Sequence, residues 1–232
     1  MSPTPQRNDI EVVLEGNPVY TDYVPETKKA KIMYLMTKRG MDFILALVGM
    51  VILIPFFVLI AIIIKIEDPK GSVFFYQTRI GKHERPFRMY KFRSMVSNAE
   101  ELLENLLDQN EVGGAMFKMK EDPRITKVGK LIRKTSIDEL PQLWNVIRGD
   151  MSLVGPRPAL PREVEQYTSL DKLRLQVTPG CTGLWQVSGR NNLSFHEMLA
   201  LDLEYIERRS LWLDIKLLFK TVKIIVFPNS AY

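Results

Sequence analysis

Asp138 and Glu139 stand side by side at the head of IDELPQLWNVIRGD. Within that stretch Leu140, Leu143, Trp144 and Ile147 recur at i, i+3, i+4 and i+7, the spacing of an amphipathic helix. Ser136 with Glu139 has capping-box spacing, while Pro141 suits the first turn if Asp138 is the N-cap instead. Under either assignment both carboxyls lie where free N–H groups and the positive end of the helix dipole favour the ionised form. An ionised aspartate can act as a nucleophile, and the same amides can hold phosphate oxygens. Arg133, Lys134, Arg148 and Arg157 gather around the pair in sequence, and upstream Lys91 and Arg93 bracket Phe92. Two readings stand at this point. One is helix capping with surface ion pairs. The other is a phosphate site, with guanidinium groups for bidentate oxygen contacts and carboxylates for a divalent metal or covalent attack.

Other chemistries find little support. The two histidines, His83 and His196, stand neither near Cys181 nor in a spacing typical of zinc sites. The glycines of TPGCTGLWQVSGRNN, with Arg190 at their end, make neither a Walker nor a Rossmann fingerprint. That loop either approaches a ligand closely or is a turn-rich connector. A single cysteine excludes an intramolecular disulfide, suits a reducing compartment and reads as a small buried hydrophobe.

The elements that must position the acidic pair are legible in outline. Residues 1–35 read as a poorly ordered tail rich in turn formers, with a short extended piece around Val12-Val13-Leu14. Val73–Tyr76 and FRMYKF, separated by RIGKHER, read as a β-hairpin. Capping boxes at Ser97–Glu100 and Ser194–Glu197 open two helices. A last helix, LWLDIKLLFKTVKIIV, sets Lys216, Lys220 and Lys223 along one face of a broad apolar surface. It suits either a membrane interface or a core helix with a solvated edge.

Phe43 to Ile64 is an uncharged run with Pro55 near its middle, long enough to cross a bilayer. Basic residues flank it on both sides: Lys28, Lys29, Lys31, Lys38 and Arg39 before, then Lys65, Lys70, Arg79, Lys82 and Arg85 after. Both ends therefore carry the cytoplasmic signature. Pro55 splits the run into arms of roughly 18 and 14 Å, each about half of a ~30 Å hydrocarbon core. A helix–break–helix that enters and leaves on one face fits both facts, and a kinked spanning helix remains the alternative. The net charge of +5 points to an anionic partner: nucleic acid, anionic lipid or a phosphorylated substrate.

The blocks KRGMDFILAL, SVFFYQTRIG, FRMYKFRSM, DPRITKVGKLIRKTSIDELPQLWNVIRGDMSLVGPRP and TPGCTGLWQVSGRN together resemble the bacterial sugar transferase family, the monotopic polyprenyl-phosphate phosphoglycosyl transferases. They run in family order over about residues 36–228. The resemblance implies transfer of a sugar-1-phosphate from a UDP-sugar to polyprenyl phosphate on the cytoplasmic face of the cell membrane, with release of UMP. Asp138 would be the nucleophile, Glu139 its acidic partner, and Mg²⁺ would lie near both. Arg133 would bind phosphate, as would Lys91 and Arg157, and Arg93 and Arg190 would be further substrate-binding residues. GLWQVSGRN resembles the branch that handles hexoses such as glucose or galactose. The family's usual membrane break is Ser-Pro; here it is Ile54-Pro55, which removes a hydroxyl able to satisfy a freed backbone group. Extra N-terminal membrane helices and a further domain of larger relatives find no counterpart, so the chain resembles the minimal catalytic form.

The expected fold is α+β and mainly α. It comprises the tail at 1–35, a re-entrant membrane hairpin at 36–68 broken at Pro55, and a cytoplasmic-face catalytic domain at 69–232 with amphipathic interfacial helices. Expected partners are the UDP-sugar, polyprenyl phosphate and membrane lipids; a homo-oligomer is left open. The rival class is a membrane-docked scaffold of polysaccharide assembly that lost turnover, against which the intact Asp138-Glu139 dyad argues. A nucleic-acid-binding protein explains the charge but not the apolar run, and no recognised binding motif accompanies it.

Overall fold

The computed structural model describes residues 11–14, 17–20, 28–104, 106, 119, 122–189 and 193–226. In chain order the elements begin with β1 (Glu11–Leu14) and β2 (Asn17–Tyr20), then α1 (Lys28–Glu67), β3 (Phe74–Ile80) and β4 (Pro86–Phe92). There follow α2 (Ala99–Glu104), α3 (Lys127–Lys134), α4 (Gln142–Arg148) and β5 (Ser152–Val154). The chain closes with α5 (Pro161–Val164), β6 (Gly180–Thr182), α6 (Phe195–Arg208) and α7 (Leu211–Val226). It divides after Thr37 into two compact units. The first holds an antiparallel β1–β2 hairpin where the sequence suggested only a short extended piece. The second unit begins at Lys38 and includes the apolar segment and the residues from 69 onward.

α1 begins at Lys28 and is one continuous helix through Pro55, where the sequence suggested a break between two arms. Proline lacks the N–H that would bond to the carbonyl four residues back, and its ring crowds that turn. This removes one bond from the ladder without ending the helix. The first part of the apolar run docks through Ala46, which is fully buried in the main core. The second docks through Ile60 and Ile64, which pack with Phe92 and Ile132 in a second cluster. Between these contacts Val51, Ile52, Ile54, Val58 and Leu59 are exposed. Polar contacts hold both ends. Lys38 Nζ is 2.9 Å from Asp214 Oδ2 on α7, and Ser152 Oγ donates to Asp42 Oδ2 at 2.7 Å. At the far end Glu67 accepts from the backbone N–H groups of Lys127 (2.7 Å) and Val128 (3.1 Å). The last turn of α1 thus caps the first turn of α3, where free amides and the dipole favour a carboxylate.

The β3–β4 hairpin is longer than its sequence outline. Arg79 and Ile80, expected in the turn, are the last residues of β3. The turn itself uses His83 and Glu84 at positive φ (56° and 60°). Register pairs Phe75 with Lys91, Gln77 with Met89 and Arg79 with Phe87. Alternation along a strand sends those residues to one face and Phe74, Tyr76, Tyr90 and Phe92 to the other. Phe92 stacks on Phe74 and meets Phe57 of α1 edge-on. Asn145 of α4, fully buried, accepts from Tyr90 N at 3.0 Å and donates to Arg88 O at 2.7 Å. One side chain thereby joins α4 to β4 as a neighbouring strand would.

β5 and β6 form a short parallel pair in the core with Met89, Val146, Tyr205 and Leu217. Gly180 is required there, since a Cβ would fall 2.1 Å from Gly155 N. α6 carries the expected capping box: Ser194 N donates to Glu197 Oε2 at 2.7 Å, and Glu197 N donates to Ser194 Oγ at 3.3 Å. α7 packs on the core by one face and leaves the other exposed. Asp214 and Leu217 are buried, whereas Trp212, Phe219, Val222 and Ile225 are exposed beside Lys220 and Lys223.

Candidate active site

The acidic pair does not open a helix by a side-chain cap, as its spacing predicts. α3 ends at Lys134, and Ser136 takes a left-handed conformation (φ 56°, ψ 17°) without capping through its side chain. Ile137–Glu139 then form a single 3₁₀ turn, and α4 starts only after Pro141. The left-handed residue reverses the chain between two helices, which a serine N-cap in extended conformation would not do. The turn is closed by Glu139 N donating to Ser136 O at 3.2 Å and Leu140 N donating to Ile137 O at 3.2 Å. The outcome is a carboxylate held on a rigid connector between two packed helices. Asp138 is 6% exposed.

Asp138 and Glu139 line a cavity of about 500 Å³. β3 and β4 supply Arg79, Met89 and Lys91; the α3–α4 segment supplies Arg133, Ser136 and Gln142; the loop after β5 supplies Arg157 and Pro158. Gly180, Cys181, Trp185 and Gln186 complete the wall. Four cations therefore face two carboxylates, a surplus of positive charge that suits a phosphorylated ligand. Lys91 Nζ lies 2.8 Å from Glu139 Oε1, and Arg133 Nε donates to Ser94 Oγ at 3.0 Å. Burial pushes the Asp138 carboxyl up to about 6; Lys91 pulls it back, Glu139 raises it and Arg133 lowers it. With a value near 6 the carboxyl is mostly ionised at pH 7, and burial leaves that charge poorly solvated. Burial also pushes the Cys181 thiol up, so it stays protonated and serves as wall.

The loop carrying Arg157 is fixed through its backbone. Gly180 N donates to Pro156 O at 2.8 Å and Arg174 Nη2 to Arg157 O at 3.3 Å. Arg79 Nη1 donates to Pro158 O at 3.0 Å and Ile80 N to Ala159 O at 2.9 Å. Four successive carbonyls are thus held, and the Arg157 side chain projects from a loop tethered by these bonds. Its own ion pair, to Glu163, is long at 3.8 Å.

Of the residues singled out in the sequence, the structure brings together Asp138, Glu139, Lys91, Arg133 and Arg157. Arg93 goes elsewhere. β4 ends at Phe92, so alternation no longer directs the next side chain. The Arg93 guanidinium lies over Gly71 and pairs with Asp68 at 3.2 Å, tying the hairpin to the end of α1. Arg148 pairs with Asp150 at 3.3 Å away from the cavity. Arg190 lies outside the described residues. Arg79, Gln142, Trp185 and Gln186 escaped the sequence reading. For Arg79 a signal was present, because it shares the parity of Gln77 on a strand whose partner carries Met89 and Lys91.

Among the described residues no group of three or more His, Cys, Asp or Glu side chains is arranged to hold a metal ion. Mg²⁺ needs less, since it binds through one or two carboxylates and takes its other ligands from water and substrate phosphates. Hard oxygen donors at Asp138 and Glu139, inside a polar cavity, fit that requirement.

The family model for bacterial sugar transferases matches residues 33–228, and the chain belongs to that family. It is 48% identical over 202 residues to the galactosyl transferase CpsE of Streptococcus agalactiae serotype III (strain NEM316), covering 87% of this chain and 44% of that protein. It is 44% identical over 199 residues to the undecaprenyl-phosphate galactose phosphotransferase of Salmonella typhimurium (strain LT2), covering 84% of this chain and 41% of that one. The exopolysaccharide production protein ExoY of Rhizobium meliloti (strain 1021) is 42% identical over 201 residues, covering 85% of this chain and 88% of its own. The chain thus spans less than half the length of CpsE and of the Salmonella protein.

Proposed function

We propose that this chain transfers a hexose-1-phosphate, glucose or galactose, from its UDP-sugar to undecaprenyl phosphate at the cytoplasmic face of the cell membrane, initiating a lipid-linked surface polysaccharide. The observation that carries the reading is a buried aspartate in a cation-rich cavity, in a unit that includes an exposed apolar helix. Names of relatives that pair undecaprenyl phosphate with galactose support the choice of substrates.

In the first step a carboxylate oxygen of Asp138 attacks the β-phosphorus of the UDP-sugar. The bond from that phosphorus to the bridging oxygen breaks, and UMP leaves with the electron pair. In the second step a phosphate oxygen of undecaprenyl phosphate attacks the phosphosugar, releasing the Asp138 carboxylate and leaving a diphosphate-linked sugar. Arg133 and Lys91 neutralise charge on the transferring phosphate where it develops. Glu139, paired with Lys91, keeps that cation beside Asp138. Mg²⁺ held by Asp138 and Glu139 would supply further neutralisation of the phosphate oxygens when bound.

The membrane helix is re-entrant in this account. Both parts of α1 pack on one folded unit, through Lys38 and Asp42 at the start and Ile64 and Glu67 at the end. That anchoring and the two basic flanks support both ends lying on the same side of the bilayer, with α1 bending at Pro55. The donor is soluble and the acceptor phosphate lies at the interface, so a site on that side meets both. The experiment is UMP release from a panel of UDP-hexoses by the purified chain with undecaprenyl phosphate. Release with UDP-glucose or UDP-galactose, abolished in Asp138→Asn, is expected. No release with any UDP-sugar would contradict the reading.

A further inference from the structure

Arg79 is an anomaly in the cavity wall. It is 5% exposed, yet its hydrogen-bond partners are two neutral acceptors, Pro158 O at 3.0 Å and Gln77 Oε1 at 2.7 Å. Its Nε has no partner. Among the described residues no carboxylate lies within ion-pair distance of it; burial and then nearby Arg157 pull the guanidinium down to about 10, against an opposing pull from Glu163 and Glu139. Burying a cation without an anion is costly, and placing it near a second cation adds repulsion. A purely structural clamp between β3 and the Pro158 loop would not need the charge. The other two cations in the cavity have neighbours suited to the reacting phosphate, Lys91 at Glu139 and Arg133 on the segment that carries Asp138.

We propose that Arg79 and Arg157 form a second phosphate subsite in the cavity, distinct from the one that Arg133 and Lys91 make beside Asp138. The proposal deepens the reaction described above and rests on it for the meaning of the ligand. A UDP-sugar carries two phosphates, and a site that attacks one must hold the other. The α-phosphate, which departs as UMP, then lies on a guanidinium pair whose supports are the end of β3 and the tethered loop at 156–159. The chemistry recognised is a phosphate group, and the phosphate of the polyprenyl acceptor is the other source able to occupy it.

The test measures binding and needs no turnover. UMP, uridine and a short soluble polyprenyl phosphate, farnesyl phosphate, are titrated calorimetrically into the full chain in detergent, for wild type, Arg79→Gln and Arg79→Lys. In wild type UMP binds more tightly than uridine, and in Arg79→Gln that ratio falls about tenfold or more. Uridine affinity stays within about twofold, a control for folding that a structural role for Arg79 would not pass. Arg79→Lys keeps the charge but loses the fork, and reads the same ratio at a smaller loss should the glutamine variant fail to fold. Loss confined to UMP assigns the subsite to the nucleotide; loss of farnesyl phosphate binding assigns it to the acceptor, and either supports the subsite. Unchanged binding of both phosphates in the variants would overturn it. Arg79-dependent UMP binding without turnover on any UDP-sugar would sink the proposed reaction and leave the subsite standing. Turnover with Arg79-independent binding would do the reverse.

Discussion

Lys38 Nζ and Asp214 Oδ2 meet at 2.9 Å inside the protein, joining the start of the apolar helix to α7. Asp214 is fully buried and also accepts from Tyr205 Oη at 2.7 Å, so its charge is compensated from two sides. Removing one partner of such a pair leaves the other charge buried and unpaired. Lys38→Met should therefore destabilise the chain by about 3–5 kcal/mol, read as a drop in the detergent melting temperature. Lys38→Met with Asp214→Asn should be less damaging than the sum of the two single changes, by about 1–3 kcal/mol. Additive losses would show that the two groups act independently.

Anchoring of α1 at both ends carries a topological expectation. Met36 and Lys70 are exposed and flank the apolar run. In a Cys181→Ala background, single cysteines at these positions should both react with an impermeant thiol reagent only from the cytoplasmic side. Reaction from opposite sides would show a spanning helix.

Asp122 accepts from Arg124 through the backbone N–H (3.0 Å), Nε (2.9 Å) and Nη2 (2.7 Å). The Arg124 side chain, followed by the backbone bond, holds the Asp122 carboxyl below the usual carboxylate range. A carboxyl whose folded pKa is depressed contributes stability above its unfolded value of about 3.9, and loses it as pH falls through the folded value. Asp122→Asn should accordingly lower the melting temperature by about 2–4 °C at pH 7. The gap from wild type should close as pH falls below about 4. A gap that persists unchanged at pH 3 would contradict this origin.

Chelation tests the divalent ion. Treatment with EDTA should reduce UMP release roughly 10²-fold, with recovery on adding Mg²⁺. Full activity in EDTA would remove Mg²⁺ from the account.

The sequence carried much of the site because the dyad and Arg133 lie in or beside the connector between two short helices, with Arg157 in the loop after β5. Helix periodicity located that connector but misjudged its start. A left-handed Ser136 is a tertiary choice that capping-box spacing does not encode. Arg93 was grouped with Lys91 because the two bracket Phe92, but β4 ends at Phe92. Arg79 was hidden by a turn drawn too wide over strand residues. Along the apolar run every residue type is compatible with lipid or with a core. Which face meets Leu143 or Phe92 was therefore invisible, and Pro55 looked like an end to a helix that continues.

The central claim is a covalent bond from Asp138 to a phosphosugar. The direct measurement is intact-mass and peptide mass spectrometry of the chain incubated with UDP-galactose or UDP-glucose and Mg²⁺, without lipid acceptor. The account predicts a hexose-phosphate adduct on the peptide containing Asp138. It should be absent in Asp138→Asn, and in wild type it should be discharged on adding undecaprenyl phosphate. Product formation with no adduct at any time, and with both substrates required together before UMP appears, would contradict it.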